Sequence, residues 1–185
     1  MKHVILTVGP RGAGKTTFCR QIVSERPEIV IVERDEILIK LFGGTSLCPY
    51  SGGHEYGKKV LLAVLEEHLN QESTTIILDT WSGFPDDRKT ITRRLRSMGV
   101  DRIEAWYFVT SEAKVVKQFI EREMREKPPQ TDSERRSLNF RVDMCFRDFN
   151  LYHSQGVTEE QGFDKVCLIN PDQLTLVPYS ELLVP

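Results

Sequence analysis

The stretch GPRGAGKTT, residues 9–17, constrains this chain more than any other part of its sequence. It fits the pattern G-x-x-x-x-G-K-[ST], in which a glycine-rich turn follows a strand and opens a helix. The preceding residues, HVILTV, are rich in β-forming side chains, and the following ones place Phe18, Cys19 and Ile22 on one helical face. Strand, glycine turn and helix are the context that this phosphate-binding motif requires, so the sequence predicts a nucleotide site here.

Each part of the loop has a predicted role. Its glycines allow backbone conformations that a side chain would obstruct, so that successive N–H groups can converge on phosphate oxygens. The start of the helix adds about half a positive elementary charge. We expect Lys15 to contact the β- and γ-phosphates and Thr16 to offer its hydroxyl to Mg²⁺. The predicted nucleotide-binding residues are Gly9, Pro10, Arg11, Gly12, Ala13, Gly14, Lys15, Thr16 and Thr17.

Two carboxylates follow the next two predicted strands. Asp35 comes shortly after the strand at residues 28–32, and Asp79 ends the strand at residues 74–78. Open parallel sheets bind ligands at the carboxyl ends of their strands, so both side chains are candidates for chemistry. We expect Asp35 to accept a proton from an attacking hydroxyl, with capping of the next helix as the alternative. We expect Asp79 to hold Mg²⁺ directly or through water, with helix or turn capping as the alternative.

Arginines on later predicted helices complete the candidate site. Arg88 lies about one turn into a helix that begins at Pro85, and from there it is predicted to reach back towards a phosphate. Arg122 and Arg125 lie near the end of a helix that a proline pair breaks. Arginines in that position can close over phosphates as a lid, and the alternative is that they only complement the helix dipole. The choice between Arg122 and Arg125 stays open.

Five predicted strands, at residues 3–8, 28–32, 74–78, 103–109 and 165–169, alternate with helical stretches. Right-handed β-α-β crossovers then predict an α/β fold, with a five-stranded parallel sheet, doubly wound, and helices on both faces. We assign residues 1–170 to one domain and residues 171–185 to a tail. The absence of a guanine-reading N/T-K-x-D motif and of long insertions points to a small phosphotransferase.

Charge and cysteine usage limit the partners and the compartment. Lys and Arg total 25 against 27 for Asp and Glu, so any contact with nucleic acid is expected to be short and local. No run of 18 apolar residues and no charged-then-apolar leader occurs, so we expect neither a membrane span nor a signal peptide. The four cysteines lack CxxC spacing and are expected to be buried free thiols in a reducing cytoplasm.

The first 36 residues resemble the amino-terminal kinase domain of the phage-type 5′-polynucleotide kinases. The shared plan is strand, phosphate loop, helix, short strand, and then Arg34 and Asp35. The strand-end LDT with a downstream arginine, here Asp79, Thr80 and Arg88, is similar too. The resemblance implies a P-loop NTPase of the adenylate-kinase-like type with a short helical lid, using ATP and Mg²⁺. It also implies that Asp35 is the general base for a 5′-hydroxyl and that Arg34 and Thr80 contact the substrate beside it.

The lid and the acceptor side both depart from that family. A helix closing in basic residues, here Arg122 and Arg125, is similar, but Glu121 and Glu123 interrupt the series. The family also places an acceptor-binding arginine shortly after the general base, whereas this chain has only Lys40 nearby.

Three functions are therefore open from the sequence. The first is an ATP-dependent kinase acting on a polynucleotide 5′-hydroxyl, which the close match of the first 36 residues favours. The second is a small-molecule kinase acting on a sugar, nucleoside, antibiotic or peptidoglycan precursor, which the net charge and the missing arginine favour. The third is a nucleotide-binding regulatory module without transfer activity. Neither the natural acceptor nor the oligomeric state follows from the sequence.

Overall fold

The computed structural model describes residues 1–126 and 128–171. Within them, five strands form one parallel sheet: β1 (Lys2–Val8), β2 (Ile29–Glu33), β3 (Thr74–Asp79), β4 (Arg102–Phe108) and β5 (Lys165–Ile169). Their order across the sheet is β2-β3-β1-β4-β5, so β1 lies in the middle. Its branched side chains are buried on both faces, as a central parallel strand requires. The predicted parallel α/β architecture is confirmed.

Six α-helices connect the strands: α1 (Lys15–Glu25), α2 (Arg34–Phe42), α3 (Gly53–Leu69), α4 (Pro85–Ser97), α5 (Glu112–Glu126) and α6 (Asp132–Ser154). The core on one face of the sheet holds Leu65 of α3 and Leu95 of α4. The core on the other face holds Ile22 of α1 and Phe119 of α5. Helices therefore cover both faces, as predicted.

Helix α6 contributes to both cores, through Cys145 on one face and Tyr152 on the other. It begins with a capping box in which Thr131 and Glu134 exchange hydrogen bonds. Its second half passes residues that follow β1 and β3, so it runs along the carboxyl edge of the sheet. Helix α6 therefore lies over the candidate site.

The four cysteines were expected from the sequence to be buried free thiols. All four cysteines are free thiols, with Cys19 and Cys145 buried and Cys48 and Cys167 partly buried. Burial raises the pKa of the Cys19, Cys145 and Cys167 thiols, which keeps them protonated. In the part of the chain that the structure describes, no helix combines the length and the apolar character needed to span a bilayer. Residues 172–185 of the predicted tail lie outside the described residues.

Candidate active site

The loop between β1 and α1 has a backbone that only glycine can follow at two positions. Gly12 and Gly14 have φ values of 81° and 86°, in the left-handed region. A Cβ on Gly12 would lie 2.7 Å from the carbonyl oxygen of Val115 in α5. On the other side, the Thr110 hydroxyl donates to the Ala13 carbonyl oxygen across 3.1 Å. The loop is therefore pressed against the end of β4 and the start of α5, which holds its curve in place.

Lys15 turns its ammonium group back onto this loop. Its Nζ donates to the carbonyl oxygens of Gly9 at 2.8 Å and Pro10 at 3.0 Å. Helix α1 begins at Lys15 and carries no acidic residue in its first turn, so the positive end of the helix dipole stays uncompensated. Thr16 and Thr17 lie in that turn and are exposed. The Lys15 ammonium, the start of α1 and the hydroxyls of Thr16 and Thr17 therefore lie in one region, which is suited to binding an anion.

Asp79 lies at the carboxyl end of β3, beside the strand that carries the loop. The hydroxyl of Thr7, a fully buried residue of β1, donates to Asp79 Oδ1 across 2.6 Å. Burial raises the pKa of Cys19 on the inner side of α1, the charges of Asp79 and Glu33 raise it further, and the charge of Lys15 lowers it. All three charged groups therefore act on the Cys19 thiol.

Asp35 follows the strand on the other side of β3. It lies two residues beyond Glu33, which is in register with Asp79, and its side chain is 69% exposed. Arg34 Nη1 donates to Asp35 Oδ1 at 3.0 Å, and Arg34 Nη2 donates to His54 Nδ1 at 3.1 Å. The capping alternative for Asp35 is wrong, because α2 begins at Arg34 and the N-cap position falls on Glu33.

The candidate Mg²⁺ ligands beside the loop are the Thr16 hydroxyl and the Asp79 carboxylate. Across the described ranges, no three His, Cys, Asp or Glu side chains lie close enough together to hold a metal by themselves. A Mg²⁺ ion held by Thr16 and Asp79 would need phosphate oxygens and water as its remaining ligands. Thr80, which follows Asp79, is partly buried at the same edge. A cavity of about 200 Å³ beside Lys2 and Arg94 lies at the opposite edge of the sheet, away from these groups.

Comparison with protein families places the loop and both carboxylates inside one family domain. The model of the AAA_33 family, described as an AAA domain, matches residues 4–140. The chain belongs to the AAA_33 family. No curated protein matches this AAA_33 member at a significant level.

Solved structures similar to this AAA_33 domain include several kinases. A chain of the Pnkp1/Rnl/Hen1 RNA repair complex is 18% identical with a TM-score of 0.65, over 84% of this chain and 46% of that chain. A putative kinase from Chloroflexus aurantiacus is 12% identical with a TM-score of 0.66, over 98% and 91% of the two chains. A fungal RNA kinase is 13% identical with a TM-score of 0.57, over 91% and 74%.

The AAA_33 chain thus spans less than half of the RNA repair chain that it matches. At these identities the similarity establishes the fold, which is that of a P-loop kinase. The resemblance to polynucleotide kinases that the sequence predicted is confirmed at this level.

On the lid side of the AAA_33 domain, the geometry favours Arg122 over Arg125. Phe119 packs beside Gly12 of the loop, and the Arg122 guanidinium lies 5.5 Å from the centre of the Phe119 ring. At 3.6 residues per turn, Arg122 lies about 60° from Phe119 around α5, and Arg125 about 120°. Burial raises the pKa of the Cys145 thiol, and the positive charges of Arg11 and Arg122 both act to lower it. Arg122 thus acts on the same thiol as Arg11 of the loop.

Arg88 is placed differently from its predicted role. Its guanidinium is fully buried, and Nε donates to Gln161 Oε1 at 2.6 Å. Nη1 donates to the carbonyl oxygens of Ser82 and Gly83 at 2.8 and 3.0 Å, and Nη2 to that of Gly156 at 2.7 Å. The structure thus contradicts the predicted phosphate contact, because these protein groups already occupy the guanidinium. Arg88 instead fastens the start of α4 to the segment that follows α6.

Asp148 of α6 is a site residue that the sequence analysis missed. It is buried, and its Oδ2 accepts a hydrogen bond from Arg11 Nε across 2.7 Å. The Cys145 thiol also donates to the Arg11 carbonyl oxygen, at 3.8 Å. Arg11 was predicted to bind nucleotide, but its side chain is instead held by α6. The available signal was a carboxylate inside the apolar stripe of α6, between Cys145 and Tyr152.

A second missed carboxylate, Glu33, holds the base of the Asp35 segment. Arg20 of α1 donates to Glu33 Oε2 at 3.0 Å and to Glu36 Oε1 at 2.9 Å. Burial raises the pKa of Glu33, and the hydrogen bond from Arg20 opposes that effect. Glu33 and Glu36 therefore hold α2 against α1 through Arg20, whereas the exposed Asp35 contacts Arg34 instead.

Proposed function

We propose that this chain is an ATP-dependent phosphotransferase that transfers the γ-phosphate to a hydroxyl group, with a polynucleotide 5′-hydroxyl as the favoured acceptor. The observation that carries the proposal is the pair of carboxylates beyond two adjacent strands. Asp79 is partly buried and accepts a hydrogen bond from Thr7 beside the loop, and Asp35 is exposed in the first turn of α2. Asp79 is therefore suited to be a metal ligand and Asp35 to be a proton acceptor. Phosphoryl transfer to an alcohol needs both roles.

The phosphates would be bound by the loop. Backbone N–H groups at residues 9–17 and the ammonium of Lys15 would contact phosphate oxygens. Thr16 and Asp79 would hold Mg²⁺, which when bound neutralises charge on those oxygens. Arg122 would approach the transferring phosphate from α5, with Arg125 as a second contact further along the helix. ATP is the nucleotide that P-loop kinase folds of this kind generally use.

The acceptor would bind on the α2 side. Arg34 contacts Oδ1 of Asp35, and we assign Oδ2 to the proton of the acceptor hydroxyl as its oxygen attacks phosphorus. Arg34 supplies positive charge beside Asp35 on this side of the site. Arg34 and Thr80 would contact the acceptor there. The similarity in fold to the fungal RNA kinase supports a nucleic-acid end as the acceptor.

The test is incubation of the purified protein with γ-labelled ATP, Mg²⁺ and a panel of acceptors. The panel contains 5′-hydroxyl DNA and RNA oligonucleotides and small metabolites with hydroxyl groups. We expect label on oligonucleotides. Label on metabolites alone would establish the small-molecule kinase instead. No labelled product, together with nucleotide-dependent capture of a protein partner, would establish a regulatory module.

Substitution of Asp35 separates its role from that of the neighbouring carboxylate. Asp35→Asn should leave ATP affinity nearly intact and lower the transfer rate by at least about tenfold. The matched control is Glu36→Gln, because Glu36 is the next residue but contacts Arg20 and not Arg34. We expect the control to transfer phosphate at close to the wild-type rate. An Asp35→Asn protein with wild-type turnover would reject the assignment of the base.

A further inference from the structure

Trp81 is a large aromatic side chain that stays exposed beside the candidate site. It follows Asp79 by two residues and is 42% exposed, whereas Trp106, the other tryptophan of the chain, is fully buried. Isolated exposed aromatic residues are common on protein surfaces and need no explanation by themselves. Trp81 differs from such residues because specific contacts hold its ring in place.

The indole ring of Trp81 is fixed although much of it faces solvent. It meets the ring of Tyr152 edge to face, with centroids 5.9 Å apart and planes at 74°. Its Nε1 donates to Asp87 Oδ2 at 3.0 Å. A Cβ on Gly83 would lie 2.7 Å from Trp81 Cζ2, so the backbone there must be glycine for the ring to lie where it does. The ring is thus ordered before any ligand binds, which lowers the entropy lost when a flat group stacks on it.

The ring that supports Trp81 belongs to the neighbourhood of the candidate site. Burial raises the pKa of Tyr152 to about 12, and the charges of Asp148 and Asp79 contribute in the same direction. Tyr152 lies one helical turn beyond Asp148 on α6, and the Trp81 ring that it meets follows Asp79 by two residues. Trp81 is fastened to this group and not to a distant part of the surface.

The register of the sheet places Trp81 and Asp35 at the same edge. Glu33 of β2 pairs with Asp79 of β3, and Asp35 and Trp81 each lie two residues beyond that pair. Adjacent strands are about 4.8 Å apart, so the two segments leave the sheet side by side. In a nucleotide, only the sugar separates the 5′-oxygen from the base. An acceptor with its 5′-hydroxyl at Asp35 therefore has its base within reach of this segment.

We infer that Trp81 is the stacking platform for the base of the nucleotide that carries the acceptor hydroxyl. The inference rests on the proposed function and narrows it, because the favoured acceptors are then those with a nucleobase next to the reacting carbon. Every base has a π-face on which an aromatic ring can stack, so Trp81 would favour acceptors that carry a base but would not distinguish one base from another. Phe84, which is also exposed in the same loop, enlarges the apolar surface there.

The test uses two oligonucleotides of one sequence, both with a 5′-hydroxyl, whose terminal nucleotide either carries its base or is abasic. For the wild type we expect the abasic oligonucleotide to have a kcat/KM lower by about tenfold. Trp81→Ala should raise the acceptor KM for the intact oligonucleotide by about tenfold, leave the KM for ATP unchanged and remove the difference between the two substrates. Trp81→Phe should retain most of the preference. The matched control is Phe140→Ala, an exposed aromatic residue in the first half of α6, which should change neither constant.

Binding without turnover supplies a second measurement. The intact 5′-hydroxyl oligonucleotide should quench the tryptophan fluorescence of the wild type in the absence of ATP, because Trp106 is buried and Trp81 is not. The quench should disappear in Trp81→Phe, whose thermal unfolding verifies its fold. If the wild type and Trp81→Ala each phosphorylate the intact and the abasic oligonucleotide equally well, the stacking role of Trp81 is rejected but the proposed kinase activity is retained. If label appears only on sugars or other acceptors without a base, the platform is rejected as well. If no acceptor is labelled, the proposed function itself fails.

Discussion

The orientation of Asp79 depends on one hydroxyl group. Thr7 lies next to the end of β1, and its buried Oγ1 donates to the carboxylate across 2.6 Å. A short hydrogen bond to an ionised group is about twice as strong as a neutral one, and it selects one rotamer of the acceptor. The strand that carries the phosphate loop therefore also orients the proposed magnesium ligand on the neighbouring strand.

Thr7→Val tests this arrangement, because valine keeps the shape of threonine and removes the donor. We expect the apparent affinity for Mg²⁺ to fall by about tenfold, since residues that orient a metal ligand typically contribute that much. The measurement is the Mg²⁺ dependence of the initial transfer rate at saturating ATP. The matched control is Thr92→Val, which removes a buried hydroxyl that donates to the Gln161 carbonyl oxygen far from the loop. Equal Mg²⁺ dependence in both variants would show that Thr7 does not orient Asp79.

The residues of the site were predictable to different degrees, for physical reasons. The loop from Gly9 to Thr17 could be identified because its glycines and Lys15 are required by local backbone geometry and by phosphate charge. The contact between Thr7 and Asp79 could not, because it joins residues 72 positions apart. Arg88 was assigned wrongly because a sequence does not show that a guanidinium is buried against carbonyl groups.

At the scale of single elements, α6 joins the phosphate loop to the rest of the molecule. Arg11 contacts the buried Asp148 at 2.7 Å, and the Cys145 thiol reaches the Arg11 carbonyl oxygen. The sequence does not show which surface α6 covers, because the path of α6 along the carboxyl edge depends on contacts with residues far away in the chain.

A double-mutant cycle measures how strongly α6 holds the loop. Arg11→Met should reduce the free energy of unfolding by more than Asp148→Asn does, because it leaves a buried carboxylate without its cation. The coupling energy should be about 1 kcal/mol, reduced from the buried value because Arg11 is partly exposed to solvent. Urea denaturation of the wild type, both single variants and the double variant gives this number. Strict additivity would mean that the contact does not stabilise the loop.

The start of β5 depends on a carboxylate with a lowered pKa. Burial acts to raise the pKa of Asp164, but hydrogen bonds from Arg96 and from the Ile103 backbone N–H, both at 2.6 Å, lower it overall. A lowered pKa means that the charged form stabilises the fold above the ordinary value of about 3.9, and that this contribution is lost as the pH falls through the lower folded-state value.

Asp164→Asn should therefore destabilise the protein most at neutral pH. We expect a loss of at most about 1 kcal/mol at pH 7, because solvent screens the 43% exposed side chain of Asp164, and this loss shrinks as the pH is lowered from 5 towards 3. Denaturant midpoints across this range give the comparison. Asp143→Asn, an exposed substitution on α6, should have little effect at any pH. A constant difference between wild type and Asp164→Asn would contradict the assigned cause of the shift.

At the scale of the whole molecule, the strand order determines where a ligand binds. The chain leaves β1 towards β2 on one side and leaves β4 towards β5 on the other. Ligands of open parallel sheets bind where neighbouring connections diverge in this way, and the phosphate loop follows β1 at that place. Five strands and their parallel direction were predictable from local patterns. The order was not, because each pairing joins distant segments whose local sequences do not specify a neighbour.

Nucleotide binding at this place should stabilise the entire fold. With Mg²⁺–ATP at about 100 times its Kd, mass action adds about 2.7 kcal/mol to the free energy of unfolding, which raises the Tm by several degrees. Differential scanning fluorimetry with and without nucleotide measures the shift. Lys15→Ala should lose most of it while keeping a Tm close to that of the wild type without ligand. An equal shift in Lys15→Ala would place the nucleotide elsewhere.

The central position of β1 has a consequence for synthesis. Within this chain β1 is the first strand that the ribosome makes, but its two neighbours appear only when residues 74 and 102 have been translated. At about 5–20 residues per second, the apolar stretch HVILTV stays unpaired for several seconds. Exposed strands of this kind attract chaperones or other nascent chains. We expect polypeptides truncated before β4 to be retained by chaperones, since one edge of their innermost strand has nothing to pair with.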